Sequence, residues 1–146
     1  MSIWFRPYTL DDLRKLIVNM PRHLGIEFVE LGPDFVRGRM PVDERTRQPY
    51  GILHGGASVA LAETLGSIGA ALIVDPDKSM CLGQEINANH VRAVSSGHVI
   101  GTARPLHVGR RTQVWDIRIT DEQEQLVCVS RLTMYVKDKK NASSAP

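Results

Sequence analysis

The segment His54–Val74, HGGASVALAETLGSIGAALIV, decides the architecture of the chain. From Gly55 onward it is made of Gly, Ala, Ser, Thr, Val, Leu and Ile, with one charged residue, Glu63. No proline interrupts it, and Asp75-Pro76 ends it, because a residue preceding proline disfavours the α region. At 1.5 Å per residue these residues make a helix of about 30 Å. Apolar and small side chains lie on every side, so the helix is expected to be buried all round. Its length also suits a membrane span. The mid-helix carboxylate and the lack of flanking aromatic or basic anchors speak against that. Glu63 has two readings: a carboxylate satisfied by an arginine from elsewhere, or a working group in a site.

The 146 residues fit one domain with a sizeable core. A net charge of +2, with Lys and Arg scattered, gives no footprint for nucleic acid. The N-terminus has no basic region followed by an apolar run, so a cytoplasmic protein is expected. Cys81 and Cys128 form no CxxC pair and read as reduced, half-buried strand residues.

Before the long helix, Thr9 and Asp12 resemble a capping box. Leu10, Leu13, Leu16, Ile17 and Met20 then recur at helical spacing, predicting one amphipathic helix that ends at Pro21. Residues 1–23 are read as a helical N-terminal segment, 24–136 as the main domain and 137–146 as a flexible tail. Leu24–Leu31 and Phe35–Val42 form a hairpin candidate around Gly32-Pro33-Asp34. Residues 43–53 are a long loop feeding the helix, a length often associated with function. Four further strands are predicted at 80–94, 98–108, 112–120 and 126–136. Their short connections permit only antiparallel neighbours. The class is therefore α+β: a long central helix wrapped by an antiparallel sheet. One sheet covers only part of such a helix, which leaves a strip for a second subunit, and Gly66 and Gly69 are expected to let two helices approach closely there.

His54-Gly55-Gly56 stands at the helix start, where unpaired N–H groups and the positive dipole end favour developing negative charge. An oxyanion hole from the Gly55 or Gly56 N–H is chemically sensible. Gly55 and Glu63 are eight residues apart, roughly 12 Å along one helix. A reacting carbonyl must lie about 3 Å from both donor and nucleophile, so one straight helix cannot supply both. Two antiparallel copies about a two-fold axis can. Ser67 shares the Glu63 face, as a small packing residue or as a group orienting water. Gln48, in the loop, reads as a solvated residue or as a hydrogen-bond partner for substrate. Tyr50, Leu53 and Leu82 are candidate pocket walls. Basic groups at His90, Arg92, Arg110 and Arg111 mark strand ends, either as ordinary exposed positions or as holders of phosphates. The histidines show no metal-binding spacing, and no Walker, Rossmann or G-x-S-x-G motif is present.

The runs MPVDERTRQPYGILHGGASVALAETLGSIGA, GQEINANHVRAVSSGHV, RPLHVGRRTQVWDIRI and SRLTMYV resemble hotdog-fold acyl-CoA thioesterases of the PaaI-like, Arthrobacter-type 4-hydroxybenzoyl-CoA branch. Within it they are similar to enzymes acting on 1,4-dihydroxy-2-naphthoyl-CoA in menaquinone synthesis and to enterobactin proofreading thioesterases. The shared pattern is Q-P-x-G-x-x-H-G-G-x-x-x-x-x-x-E-x-x-x-S. The resemblance implies a hotdog domain over 24–136 and hydrolysis of an acyl-CoA, with an aromatic acyl group expected. It makes Glu63 the essential carboxylate, as nucleophile or as general base. Gly55 then supplies the oxyanion N–H from the neighbouring subunit, His54 and Gln48 position the thioester, and Ser67 assists. Gly83, His90, Arg92, Gly109 and Arg110 fall to substrate and CoA contacts. The resemblance further implies a homodimer building a homotetramer, with no metal or redox cofactor and neither nucleic acid nor membrane as partner. Two alternatives are a hotdog hydratase or dehydratase and a non-catalytic acyl-CoA sensor.

Overall fold

In the computed structural model, residues 1–140 are described. Two short helices, α1 (Leu10–Arg14) and α2 (Asn19–His23), precede a hairpin of β1 (Glu27–Leu31) and β2 (Val36–Pro41). The long helix α3 (Gly55–Ile73) follows, then β3 (Ser79–His90), β4 (His98–Val108), β5 (Thr112–Thr120) and β6 (Leu126–Asp138). The strands make one antiparallel sheet in the order β1-β2-β4-β5-β6-β3. After α3 the chain therefore crosses to the far edge of the sheet, and β3 has a strand partner only on its β6 side.

The sheet curls around α3. Ala57, Leu61, Ala62, Leu65, Gly66, Gly69, Ala70 and Leu72 are buried. On the sheet, alternation sends Gln113, Trp115, Ile117 and Ile119 inward from β5 and leaves Arg118 exposed. Each fully buried Leu or Ile contributes about 1.5–3 kcal/mol relative to exposure. Leu61, Leu65, Ile117, Leu132 and Met134, all 0% exposed, thus anchor helix to sheet. Gln113 is also fully buried; its amide donates to Ala70 O at 3.4 Å and accepts from Trp115 Nε1 at 3.0 Å, so neither buried polar group is left unpaired. The remaining face of α3 is open in one copy. Ala60, Glu63, Thr64 and Ser67 are half-buried and Ala71 is exposed, so burial is one-sided rather than all round.

Gly66 and Gly69 face the sheet, not this open strip. A Cβ at 66 would lie 2.6 Å from Leu132 Cδ2, and one at 69 would lie 2.6 Å from the Trp115 ring. Their smallness serves helix–sheet contact, which corrects the expectation of close helix–helix approach. The single N-terminal helix is also corrected. The Thr9–Asp12 capping box is present, but α1 ends at Arg14. Val18 is then extended and Asn19 left-handed at φ 56°, which breaks the helical path. Pro21 sits in the first turn of α2, where its missing N–H costs nothing, rather than ending a helix. At the far end β6 continues through Asp138, and Lys139 N donates to Lys78 O, inside the segment assigned to the tail. The rest of that assignment, residues 141–146, lies outside the described residues. Strand β3 stops at His90, four residues before its expected end, and Cys128 is wholly buried rather than half-buried.

Candidate active site

The loop before α3 is held by its own polar groups. Thr46, 1% exposed, donates from Oγ1 to Pro41 O at 2.7 Å and accepts from Asp43 N at 3.1 Å. Arg47 donates to Ser95 O at 2.9 Å and to Val42 O at 3.4 Å, and its backbone pairs with Leu53. These contacts close residues 47–53 into a tight excursion that carries Gln48 at its base. Arg47 and Thr46 escaped the sequence reading; an arginine beside a site glutamine in a long loop was the available signal.

At the helix start, the first-turn donors are already sorted. His54 is the N-cap, and its Nδ1 accepts from Gly56 N at 2.8 Å. A ring nitrogen that accepts carries no proton, so the neutral imidazole holds its N–H on Nε2. Ala57 N and Ser58 N both donate to His54 O, at 2.9 and 3.3 Å. Among the described residues only the Gly55 N–H of this turn has no acceptor. Of the two glycines, Gly55 and not Gly56 keeps a free N–H. The His90 imidazole lies against it: a Cβ at 55 would be 2.7 Å from His90 Nε2.

Gln48, Ile52, Leu53, Gly55, His90 and Arg92 line one cavity of about 420 Å³, whose remaining walls include Val91 and Val127. Gln48 Oε1 accepts from Tyr50 N at 2.6 Å, which fixes the carboxamide and leaves its two N–H groups as donors. Of the three candidate pocket walls, only Leu53 lines this cavity. Tyr50 is 91% exposed and Leu82 43%.

Glu63 is in a different place. It is half-buried beside Gly83, where any Cβ would collide with its Oε1. Among the described residues it makes no hydrogen bond and no ion pair, so no arginine satisfies it. Burial raises its pKa above the usual carboxylate value. Ser67, one turn on, points its hydroxyl at Met134 Sδ, 3.8 Å away. Gly109 and Arg110 occupy the β4–β5 turn and do not line the cavity with His90 and Arg92. That turn lies at the Gly83 end of β3, since Thr112 pairs with Tyr135 and Tyr135 with Leu82. One chain thus holds two separate features, a free helix-start N–H at Gly55, here termed the donor half, and an unpartnered carboxylate at Glu63.

A larger cleft of about 690 Å³ lies between the α1–α2 segment and β1. Its charged groups are mostly satisfied locally, Arg39 by Glu27 at 2.8 Å and Arg14 by Asp11 at 2.9 Å. It contains neither a helix-start donor nor an unpaired carboxylate, and size alone does not make it the reactive site.

A long central helix held in a curled six-stranded antiparallel sheet is the hotdog fold. The family model described as "Thioesterase superfamily" matches residues 50–128, and the chain belongs to that superfamily as a thioester hydrolase. The proofreading thioesterase EntH of Cronobacter turicensis is 51% identical over 135 residues, covering 92% of this chain and 98% of that protein. The crystal structure of a thioesterase from Haemophilus influenzae superposes with a TM-score of 0.92 at 45% identity, covering 97% of this chain and 99% of that one. A mutant thioesterase from Pseudomonas aeruginosa, with a glutamine replaced by alanine, gives a TM-score of 0.92 at 43% identity, over 94% of this chain and 100% of that one. The apolar helix that is long enough for a membrane is the core helix of this fold.

Proposed function

We propose that the chain hydrolyses a compact, preferentially aromatic acyl-CoA thioester in a site shared by two copies, as part of a cytoplasmic homo-oligomer. The observation that carries this reading is the single unpartnered Gly55 N–H at the start of α3, with an equally unpartnered Glu63 two turns along the same helix. The donor half of one copy polarises the thioester carbonyl, with Gln48 N–H as a further donor in the same cavity, while His54 holds the helix start by accepting from Gly56 N. Glu63 of the other copy attacks the carbonyl carbon, or takes a proton from the water that does. The C–S bond breaks, and the CoA thiolate leaves and takes up a proton; where water attacked, the acid is then free, and where Glu63 attacked, a water must first hydrolyse the Glu63–acyl anhydride to release it. His90 and Arg92 at the cavity rim suit the phosphates of CoA. The preference for an aromatic acyl group is supported by the family likeness and by a short cavity walled by Ile52, Leu53 and Val127.

The test is complementation. Glu63→Ala and Gly55→Ala chains, each inactive, are co-expressed with different tags. Random pairing makes half the dimers mixed, each with one intact site, so activity returns to roughly a quarter of wild type. Activity no greater than the sum of the two parents refutes the shared site. A panel of benzoyl- to palmitoyl-CoA, read as free thiol, tests the substrate class; turnover of long chains alone refutes the aromatic preference.

A further inference from the structure

We propose that Gly83 is a positioning residue for Glu63: the side chain missing from β3 leaves the slot that holds the carboxylate at its working place. This deepens the shared-site reading and rests on Glu63 being its acid. Glycine is a poor strand residue, since it loses much conformational freedom on folding and packs nothing against its neighbours. Inside a strand it marks a backbone need or a close approach. Gly83 is inside β3, paired with Met134 of β6. Its φ lies outside the left-handed region that Gly25, Gly51 and Gly97 occupy, so its backbone does not demand glycine. The need is steric. A Cβ at 83 would collide with Glu63 Oε1, while the next nearest atoms, Glu63 Cδ at 3.6 Å and Met134 Sδ at 4.0 Å, stand at ordinary contact distance. One carboxylate oxygen is all that excludes a side chain.

The other glycines packed this closely have different occupants. At Gly66, Gly69 and Gly101 the place of the side chain is filled by Leu132, Trp115 and Leu65, all of the apolar core. Gly97 meets the Glu122 carboxylate, but its φ of 73° favours glycine whatever the space, and Glu122 already accepts from His98 N at 3.0 Å. Glu63 has no such tether: among the described residues nothing donates to it or pairs with it. A hydrogen bond would aim this flexible side chain but would occupy a lone pair that has to reach the carbonyl carbon or a water. Packing aims it and leaves the lone pairs free. The floor of the slot is Met134, whose Sδ also lies 3.8 Å from Ser67 Oγ, so Gly83 and Ser67 flank the acid above one sulfur. The β-bulge between Gly83 and Glu85 starts at this point, the kind of irregularity that re-aims a strand beside a site.

The test uses Gly83→Ala, Glu63→Asp and the double variant in the full chain, read as thiol release from benzoyl-CoA. In Gly83→Ala the carboxylate must retreat by about 1 Å, and a misplacement of that size costs about 10²-fold in rate. The loss is expected in kcat, with KM within about threefold of wild type, because the harm falls on the acid and not on substrate binding. In the Glu63→Asp background the shorter side chain no longer reaches position 83, and the same change is expected to cost less than about threefold. An equal loss in both backgrounds, or a loss confined to KM, overturns the positioning role and makes Gly83 a direct substrate contact. So does a crystal structure of Gly83→Ala with the carboxylate in its original place. If Gly83→Ala alone does not fold, the double variant is expected to fold, since shortening the acid removes the one close contact; a double variant that also fails overturns the steric account. Wild-type kcat in Gly83→Ala beside an inactive Glu63→Gln overturns the role of Gly83 and leaves the shared site standing. Wild-type thiol release by Glu63→Gln overturns both.

Discussion

Two glycines of α3 are expected to respond in opposite ways to the same change. In Gly55→Ala, the new methyl sits 2.7 Å from His90 Nε2 and 3.1 Å from its neighbouring ring carbons. His90 is exposed, so its ring can swing away at an off-rotamer cost of about 0.5–1.5 kcal/mol. Replacing glycine in a helix returns about 0.4–1 kcal/mol through the unfolded chain. The net change is below about 1 kcal/mol. With an unfolding entropy near 2.1 cal/mol/K per residue, that is a Tm shift within about 3 °C for this chain. Activity should suffer far more. The methyl and the displaced imidazole crowd the approach to the Gly55 N–H, and losing one oxyanion donor costs about 10²–10³ in rate. In Gly66→Ala the methyl meets Leu132 Cδ2 at 2.6 Å inside a closed core. Overpacking costs about 1–3 kcal/mol, against about 1 kcal/mol gained in helix propensity. Tm should fall by several degrees, with kcat/KM at 15 °C close to wild type. Thermal melts at one protomer concentration and thiol-release kinetics check both variants. Wild-type kcat/KM in a folded Gly55→Ala protein would refute the oxyanion assignment.

Glu63→Gln should abolish thiol release. It should also raise Tm at pH 8 but not at pH 4: the native pKa lies above the unfolded one, so this carboxyl favours the fold when protonated and loses that contribution as pH rises through its native pKa. For the same reason the acidic limb of kcat/KM in the wild type should lie above the value of about 4.3 for a free glutamate, as a pH–rate profile would show. Arg47→Ala frees the Gln48 excursion from Ser95 O and Val42 O, and is expected to raise KM several-fold more than it lowers kcat. A single turnover in ¹⁸O-water tests the covalent route: ¹⁸O in the Glu63 carboxylate together with unlabelled product acid marks an anhydride that water opens at the Glu63 carbonyl.

Much of this architecture is legible from residue pattern. The helix bounds differ by one residue from the apolar run at each end, because Asp75-Pro76 and the His54 cap are local signals. Strands β4 and β5 fall on the expected residues, because Ser95-Ser96-Gly97 and Gly109-Arg110-Arg111 punctuate them. What was not legible depends on contacts between distant segments. Whether Gly55 or Gly56 keeps a free N–H is settled by a side-chain rotamer of His54. Whether Gly66 faces a helix or the sheet depends on where Leu132 lands, 66 residues away. The break at Val18–Asn19 is hidden because Leu16, Ile17 and Met20 preserve a helical period across it. Arg110 shares a strand-end signature with Arg92, but the sheet order puts the two at opposite ends of β3.

The pairing of Trp115 with Gln113 gives the protein a built-in optical gauge. Of its two tryptophans, Trp115 is sealed in the core with its ring against Gly69, while Trp4 is part-buried and donates to Gly32 O at 2.8 Å. Replacing Trp4 by phenylalanine would leave one blue-shifted emitter at the contact of α3 with β5. Its fluorescence would then report loosening of that contact separately from fraying of the N-terminal arm.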